Sequence, residues 1–448
     1  MKYLIYFVFL LFLTVNISVL QAQDNAKPNI IVIVAEDMRY DELGFLKKTP
    51  VETPNLDKLA ENSMVFTNAY TTSPVCPASR AGIFTGLPVS EHGVVHFKSK
   101  MKKEIWEKSY PVLLREQGYK TGFVGNFGMQ IWNQQKYQEK DFDSWFGFPF
   151  GWGDYDEHDI DGRPVHSARL MEEQSLRFLS IYKNEPFCLS ISFKSPQLPW
   201  QIDPAYADEL QNADIQFPET WNNKEILPEK AFSGNIYECE NLSKKVNDLQ
   251  TYQDTIRARY QLIYGLDKVV GRIMHELEML GLLENTLVVF TSDNGFLLGE
   301  HGLWGKGWAF EESMRIPLLI YSGKKSKATY SYKLVTNLDI YPTLLNYAGI
   351  ETGDNISGEN ILLQTENPTE KQLFFDQPYT RNSESDSWGK IPAFKALISG
   401  NLKYVFYPET EEEQLFNIEK DPLETKDLSS SKKYKKELGK LKNTLQND

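Results

Sequence analysis

The sequence predicts an α/β protein in which a mostly parallel central sheet is flanked by helices, followed by a smaller C-terminal α+β domain with an antiparallel sheet. Three observations carry this expectation. Ile30 to Ala35 is an unbroken apolar, β-branched run, the pattern of a strand buried on both faces of a parallel sheet. Strand-like and helix-like segments then alternate, as they do where helical crossovers join parallel strands. Later, Phe394 to Phe406 alternates apolar and polar residues in the manner of antiparallel strands.

The elements follow in order. Met1 to Ala22 carries a Lys near its start, an apolar stretch from Leu4 to Leu13 and a polar exit, the pattern of a cleaved signal peptide over residues 1–22. The mature chain is therefore expected to be exported, periplasmic or secreted. After the first strand, Pro54 to Asn62 reads as a short helix, and Pro111 to Gln117 as another, closed by Gly118 and followed by a strand over Lys120 to Val124. Pro186 to Phe193 gives a further strand, Thr255 to Leu283 a long amphipathic helix, and Thr286 to Ser292 the next strand. Residues 201–254 lack periodicity and read as an insertion over the site or a surface excursion. Leu338 to Ala348 is helix-like and precedes the polar segment Glu351 to Glu370. This division suggests a catalytic domain over 23–350 and a small domain over 351–448. The Lys-rich end from Ser430 reads as a charged terminal helix or a solvated tail.

Composition narrows the function. The formal charge of −13, from 61 acids and 48 bases, argues against a nucleic-acid partner, whose footprint is a basic stripe. Beyond the leader no apolar run is long enough to cross a bilayer, so no transmembrane anchor is expected. Three cysteines leave one unpaired in an exported chain, and Cys188 and Cys239 read either as a disulfide or as separate thiols, Cys188 buried in its apolar run.

Two acidic pairs stand at the C-terminal ends of predicted strands, Glu36-Asp37 and Asp293-Asn294, and ligands of open α/β sheets bind beyond that edge. Their oxygens suit a hard divalent cation, Ca²⁺ before Mg²⁺. Taken alone, either pair reads as helix caps after buried strands. Cys76 opens a predicted helix, with Pro77 suited to its first position and Arg80 one turn along the same face. Helix-start amides and the Arg80 fork make that spot electropositive and suited to an anion.

The run Cys76-Pro77-Ala78-Ser79-Arg80, continuing to Thr85-Gly86, resembles the modification signature of type I, formylglycine-dependent sulfatases of the alkaline-phosphatase-like superfamily. Asn29 to Gly44, Thr53 to Tyr70, Ser292 to Pro317 and the ending around Leu402 to Leu428 resemble that family in order and spacing. The resemblance implies a sulfuric ester hydrolase in which a maturing enzyme oxidises Cys76 to formylglycine, whose hydrated aldehyde attacks sulfur. It places Glu36, Asp37, Asp293 and Asn294 on the calcium ligands, with the modified side chain of Cys76 beside them. Arg80 falls on the residue that steadies the hydrated aldehyde, and Lys306 on the lysine that contacts sulfate and helps the leaving oxygen depart. A sulfated saccharide is the implied substrate. His301 lies outside the implied coordination sphere and reads as structural or as a substrate contact.

Departures from the family pattern are as informative. Ala78 stands where the family has Pro, a choice that the radical-type maturing enzymes of anaerobes accept. Glu36 replaces the usual Asp. Asn126 stands in place of a sulfate-binding lysine, Gly128 in place of a histidine beside the aldehyde, and Gln197 in place of a histidine after Ser-Pro. Asn and Gln do not titrate near neutrality. Three readings of these changes stand. Lys194, Lys306, His92 or His96 takes over the lost chemistry; Asn126 and Gln197 bind sugar hydroxyls; or the chain binds sulfated glycans without turning them over. A phosphate or phosphonate ester hydrolase is a further alternative, because the same cradle suits any tetrahedral oxyanion. Aromatic residues from Trp145 to Tyr155 read as core packing or as a stacking wall for a saccharide.

Overall fold

A computed structural model describes residues 27–132, 138–148, 155–158, 162–234, 236, 239–323, 328–353, 356–363, 371–378 and 390–447. The leader expected over residues 1–22 lies outside them. Among the described residues no helix is long and apolar enough to cross a membrane.

The large sheet contains strands β1 (Asn29–Ala35), β2 (Met64–Tyr70), β3 (Lys120–Asn126), β4 (Ser144–Phe148), β5 (Phe187–Ser192), β6 (Thr286–Ser292), β7 (Leu318–Tyr321) and β8 (Thr329–Thr336). Their spatial order is β8-β2-β7-β6-β1-β5-β3-β4. Only β7 runs against its neighbours, so the sheet is mostly parallel, as expected. The unbroken apolar run of β1 follows from its central place. Ile31 and Ile33 face helices α1 (Pro54–Ala60), α4 (Ser167–Tyr182) and α5 (Leu249–Met279), whereas Ile30, Val32 and Val34 face α2 (Cys76–Thr85), α3 (Tyr110–Glu116) and α6 (Ile340–Tyr347). Both faces are covered, so every position from Ile30 to Ala35 is apolar, and the one polar residue, Asn29 at the strand's start, has its side chain bonded to the Phe187 amide.

Several boundaries move for local reasons. Helix α5 starts at Leu249 rather than Thr255, because Asp248 caps it by accepting the Thr251 amide at 2.8 Å. Strand β3 continues past Val124 to Asn126, paired with Gly147 and Phe148 of β4. Residues 201–254 are no loose excursion. They pack on the loop after β6, with Trp221 edge-on to Trp304 at 5.9 Å and Tyr252 beside both. Gly299, at φ +108°, is required there, because a Cβ would stand 2.0 Å from the Trp221 ring.

A separate antiparallel sheet has the order β9 (Gln372–Gln377), β10 (Phe394–Ser399), β11 (Leu402–Tyr407), β12 (Glu412–Asn417). Leu373, Phe375 and Val405 on one face pack with Tyr70 and Met314 of the large unit. Leu397, Tyr404 and Leu415 on the other are covered by Leu438, Leu441 and Leu445 of α7 (Lys435–Asn447). The reading of a solvated tail is thus overturned. Leucines at helical spacing give the Lys-rich segment a packing face, while its lysines stay in water. Cys188 and Cys239 lie in different core clusters, on opposite sides of the large sheet, and are not bonded to each other.

Between the two sheets a buried ion cluster forms. Lys403 of β11 is fully enclosed and bridges Glu311, at 3.2 Å, and Glu424, at 2.5 Å. Removing the ammonium strands two carboxylates away from water. Lys403→Met is expected to destabilise the protein by about 3–5 kcal/mol, read as a lower midpoint in denaturant titration followed by circular dichroism.

Candidate active site

Parallel pairing of β1 with β6 in the register Ala35 opposite Ser292 sends Glu36-Asp37 and Asp293-Asn294 out side by side at the same sheet edge. The turn is tight and internally bonded. The Asp37 amide donates to Asp293 Oδ1 at 3.0 Å, and Asn294 Nδ2 donates to Asp37 Oδ1 at 2.7 Å. Asp37 adopts φ +64°, a conformation that an Asp tolerates better than most residues.

Helix α2 delivers Cys76 and Arg80 to the same place. Cys76 is the first helical residue, Pro77 the second, and no side chain caps this end. Its Sγ lies 3.9 Å from Asp37 Oδ1, and one ligand atom each from Glu36, Cys76 and Asp293 falls within 4.8 Å of the others. Arg80 Nε donates to Asp293 Oδ2 at 3.0 Å, Nη1 to the Asn126 carbonyl at 2.6 Å and to Ser192 Oγ, while Nη2 lies 3.4 Å from Glu36. Asn126 Nδ2 in turn donates to Glu36 Oε2. From the loop after β6, Lys306 Nζ reaches Asp37 Oδ1 at 2.6 Å and contacts Cys76 Sγ. Gly128 is compulsory: at φ +67°, a Cβ would come within 2.6 Å of Arg80 Cδ. The glycine leaves room for the guanidinium, which occupies the space a larger residue would need.

The electrostatics correct one expectation. The spot beside Cys76 is not simply electropositive, because three buried carboxylates, Glu36, Asp37 and Asp293, outnumber Arg80 and Lys306. Burial, with Asp293 adding to it and Lys306 opposing, pushes the Cys76 thiol well above its ordinary value, so the thiol is no thiolate nucleophile. Burial chiefly raises Glu36 to about 7, against the pull of Arg80, and raises Asp37 against that of Lys306. Burial works against the Lys306 ammonium too, but Asp37, Cys76, Glu36 and Asp293 outweigh it and keep the charge.

The donor set fits a hard divalent cation. Its groups are carboxylate and amide oxygens without imidazole, and Asn294 Oδ1 is buried with no hydrogen-bond donor to receive. A dication in contact with these oxygens satisfies that carbonyl and offsets the carboxylate excess.

The remaining sequence candidates divide. Lys194 and Gln197 sit on the loop after β5, which adjoins the cluster because the Glu36 amide donates to Ser195 O at 3.1 Å. Lys194 Nζ stands 4.6 Å above the Tyr155 ring, and the Tyr155 hydroxyl donates to Gln197 O at 2.7 Å. Gln197 Oε1 is buried without a donor. His301 is buried and stacked on Phe310 at 4.4 Å, and neither ring nitrogen has a hydrogen-bond partner among the described residues. His92 does not swing in: burial lowers it to about 4, and its Nδ1 accepts the Val94 amide. His96 Nδ1 accepts the Lys98 amide in its own turn. Trp145 stacks on Phe123 at 4.9 Å inside the core, whereas residues 149–154 of the aromatic stretch lie outside the described residues.

Sequence reasoning missed Ser192 and Arg259. Ser192 carries no signal beyond ending a strand. Arg259 does carry one, since it falls on the apolar stripe of α5 formed by Ile256, Ile263, Leu266 and Val270, and a cation there requires buried acids to meet it.

Comparison with known proteins agrees with this geometry. The sulfatase family profile matches residues 28–350, and the profile described as N-sulphoglucosamine sulphohydrolase, C-terminal, matches 299–448. An arylsulfatase of Clostridium perfringens is 28% identical over 480 residues, covering 94% of each chain. An N-acetylglucosamine-6-O-sulfatase of Bacteroides thetaiotaomicron is 24% identical over 493 residues, covering 95% of this chain and 87% of its own. A protein solved in complex with its substrate D-glucosamine-2-N,6-O-disulfate superposes with a TM-score of 0.80 at 22% identity, over 94% of this chain and 97% of that one. With its profile matched over most of its length and the same fold in solved relatives, the chain belongs to the sulfatase family.

Proposed function

We propose that this protein is an exported hydrolase of sulfate esters on a glycan, with Cys76 converted to formylglycine by a maturing enzyme and calcium held by Glu36, Asp37, Asp293 and Asn294. The observation that carries the proposal is the convergence of both acidic pairs on the side chain at position 76. Export rests on the leader pattern of residues 1–22.

When present, the hydrated aldehyde supplies a nucleophile for sulfur and the dication stabilises charge on the oxygens around it. The other side chains complete the site. Lys306, charged and touching both residue 76 and Asp37, is placed to donate to a sulfate oxygen or to the departing sugar oxygen. Arg80 fixes Asp293 and Glu36, the carboxylates that would hold the cation. Asn126, bonded to Glu36, orients that carboxylate rather than replacing the charge of a lysine. Gln197 Oε1 offers an acceptor to a sugar hydroxyl or N–H. Charge supports the same reading: three carboxylates against two cations leave one negative charge, a dication turns this to one positive, and a sulfate monoester carries one negative.

The named activity of the B. thetaiotaomicron relative and the disulfated glucosamine held by the solved structure favour a 6-O-sulfated glucosamine as substrate. Mass spectrometry of the peptide spanning Cys76, from a host with a radical-type maturing enzyme, is expected to show thiol replaced by aldehyde. Such protein should release sulfate from glucosamine 6-sulfates, and faster phosphate than sulfate release from paired aryl esters would overturn the assignment. Lys306→Ala is expected to lower kcat by about 10²- to 10³-fold.

The pH dependence has a defined sign. Glu36 goes from an ordinary 4.5 to about 7 in the metal-free fold, so between those values the folded state binds the proton more tightly than the unfolded one. Its contribution to stability is full below about 4.5 and is lost as pH rises through about 7. The metal-free protein should lose thermal stability across that window more steeply than Glu36→Gln. Calcium affinity, by titration calorimetry, should rise across the same window as proton competition disappears.

A further inference from the structure

Beside the candidate site lies a second set of buried charges, centred on Arg259, whose hydrogen bonds reach the backbone of Asp37 and not its carboxylate. Arg259 is 0% exposed, on the face of α5 turned to the sheet. Its Nε and Nη2 form a fork on Glu42, both at 2.7 Å. Nη2 also donates to the Asp37 carbonyl at 2.5 Å, and Nη1 to the Pro196 carbonyl at 3.3 Å. The guanidinium carbon stands 5.8 Å from the Trp200 ring and 5.3 Å from the Phe296 ring, two rings that meet edge to face at 6.2 Å.

The partners of Glu42 extend the network. Its Oε2 accepts the Arg39 amide at 2.8 Å, and the Arg39 side chain reaches Glu300 Oε1 at 2.5 Å while Glu300 Oε2 accepts the Leu298 amide at 2.5 Å. One connected set of charges therefore touches the turn that carries Glu36 and Asp37, the loop that carries Lys194 and Gln197, and the loop that leads to Lys306. The turn at 36–42 and the loop at 194–197 are irregular backbone, whereas the loop that leads to Lys306 is tied by a short antiparallel ladder of Leu297–Leu298 with Trp304–Gly305. A guanidinium whose donors diverge in one plane can hold two carbonyls and a carboxylate at fixed separations, which a Lys ammonium on a flexible stem cannot.

We infer that Arg259 is the positioning residue of the site: through the Asp37 and Pro196 carbonyls it sets the cation-binding turn against the Gln197 loop. The idea rests on the calcium reading of Glu36, Asp37, Asp293 and Asn294, but its first test is independent of any cation. Peptide-level hydrogen exchange in metal-free protein should show residues 36–42 and 195–201 exchanging faster together in Arg259→Met, and less so in Arg259→Lys. In Lys403→Met, where the buried charge lost is remote, those two segments should keep the wild-type rate although the protein melts earlier. The second test is calcium affinity of the unmodified protein by calorimetry, where removal of such an outer partner is expected to weaken binding by about 10- to 100-fold, with Arg259→Lys in between.

If Arg259→Met does not fold, Glu42→Gln, which keeps the shape and removes the charge, replaces it in both measurements. Unchanged exchange in the two segments overturns the inference, as does wild-type calcium affinity in the Arg259 variants. Failure of the wild-type protein to bind calcium overturns the cation reading instead, and leaves the exchange result to decide the role of Arg259.

Discussion

Everything at this site depends on the burial of three carboxylates next to one another. Glu36, Asp37 and Asp293 are enclosed where charge is costly, and the raised pKa of Glu36 and Asp37 measures that cost. A fold keeps such a group only where something else requires it. Arg80 and Lys306 offset part of the repulsion, yet the arithmetic leaves a carboxylate in excess and an amide oxygen with nothing to accept. Both residual demands are of the kind a hard dication meets.

The sheet solves the assembly of that cluster by register rather than by sequence proximity. Asp37 and Asp293 are 256 residues apart but follow strands that pair residue for residue, so they arrive at one edge without any loop having to search. Helix α2 then brings Cys76 and Arg80 on one face, one turn apart, and the aromatic packing of Trp221 and Tyr252 on Trp304 fixes the loop that holds Lys306. The 201–254 region thus serves the site as a buttress. Its own backbone has little regular structure because its order comes from side chains packed on another loop.

What the sequence made legible follows from this. Strands buried on both faces announce themselves by composition alone, and acids at their ends stand out because the run stops so abruptly; β1, β6 and the two acidic pairs were readable for that reason. The alternation of β10 and β11 was equally plain, whereas α7 was obscured by its lysines, since the three leucines that bury it are sparse against a charged background. For His301 the sequence left a structural role and a substrate contact both open, and only three-dimensional packing shows it stacked on Phe310. Arg259 was hidden for a different reason. Its place on an apolar stripe calls for buried acids, but the glutamate and the Asp37 carbonyl it meets are more than 200 residues away and no local pattern names them.

The departures at 126, 128 and 197 take on a physical sense once neighbours are known. Gly128 is dictated by the Arg80 side chain lying against it, and Asn126 gives its amide to Glu36 and its carbonyl to Arg80, so both positions are committed to holding the cluster. Gln197 differs, because its buried side-chain carbonyl oxygen has no hydrogen-bond partner among the described residues. An unmatched buried acceptor rejects ligands that bring no donor to it, at a cost of about 1–3 kcal/mol. If the proposed glycan site holds, that penalty would let position 197 tell substrates apart by hydrogen-bond donation, whereas positions 126 and 128 pack against the cluster itself.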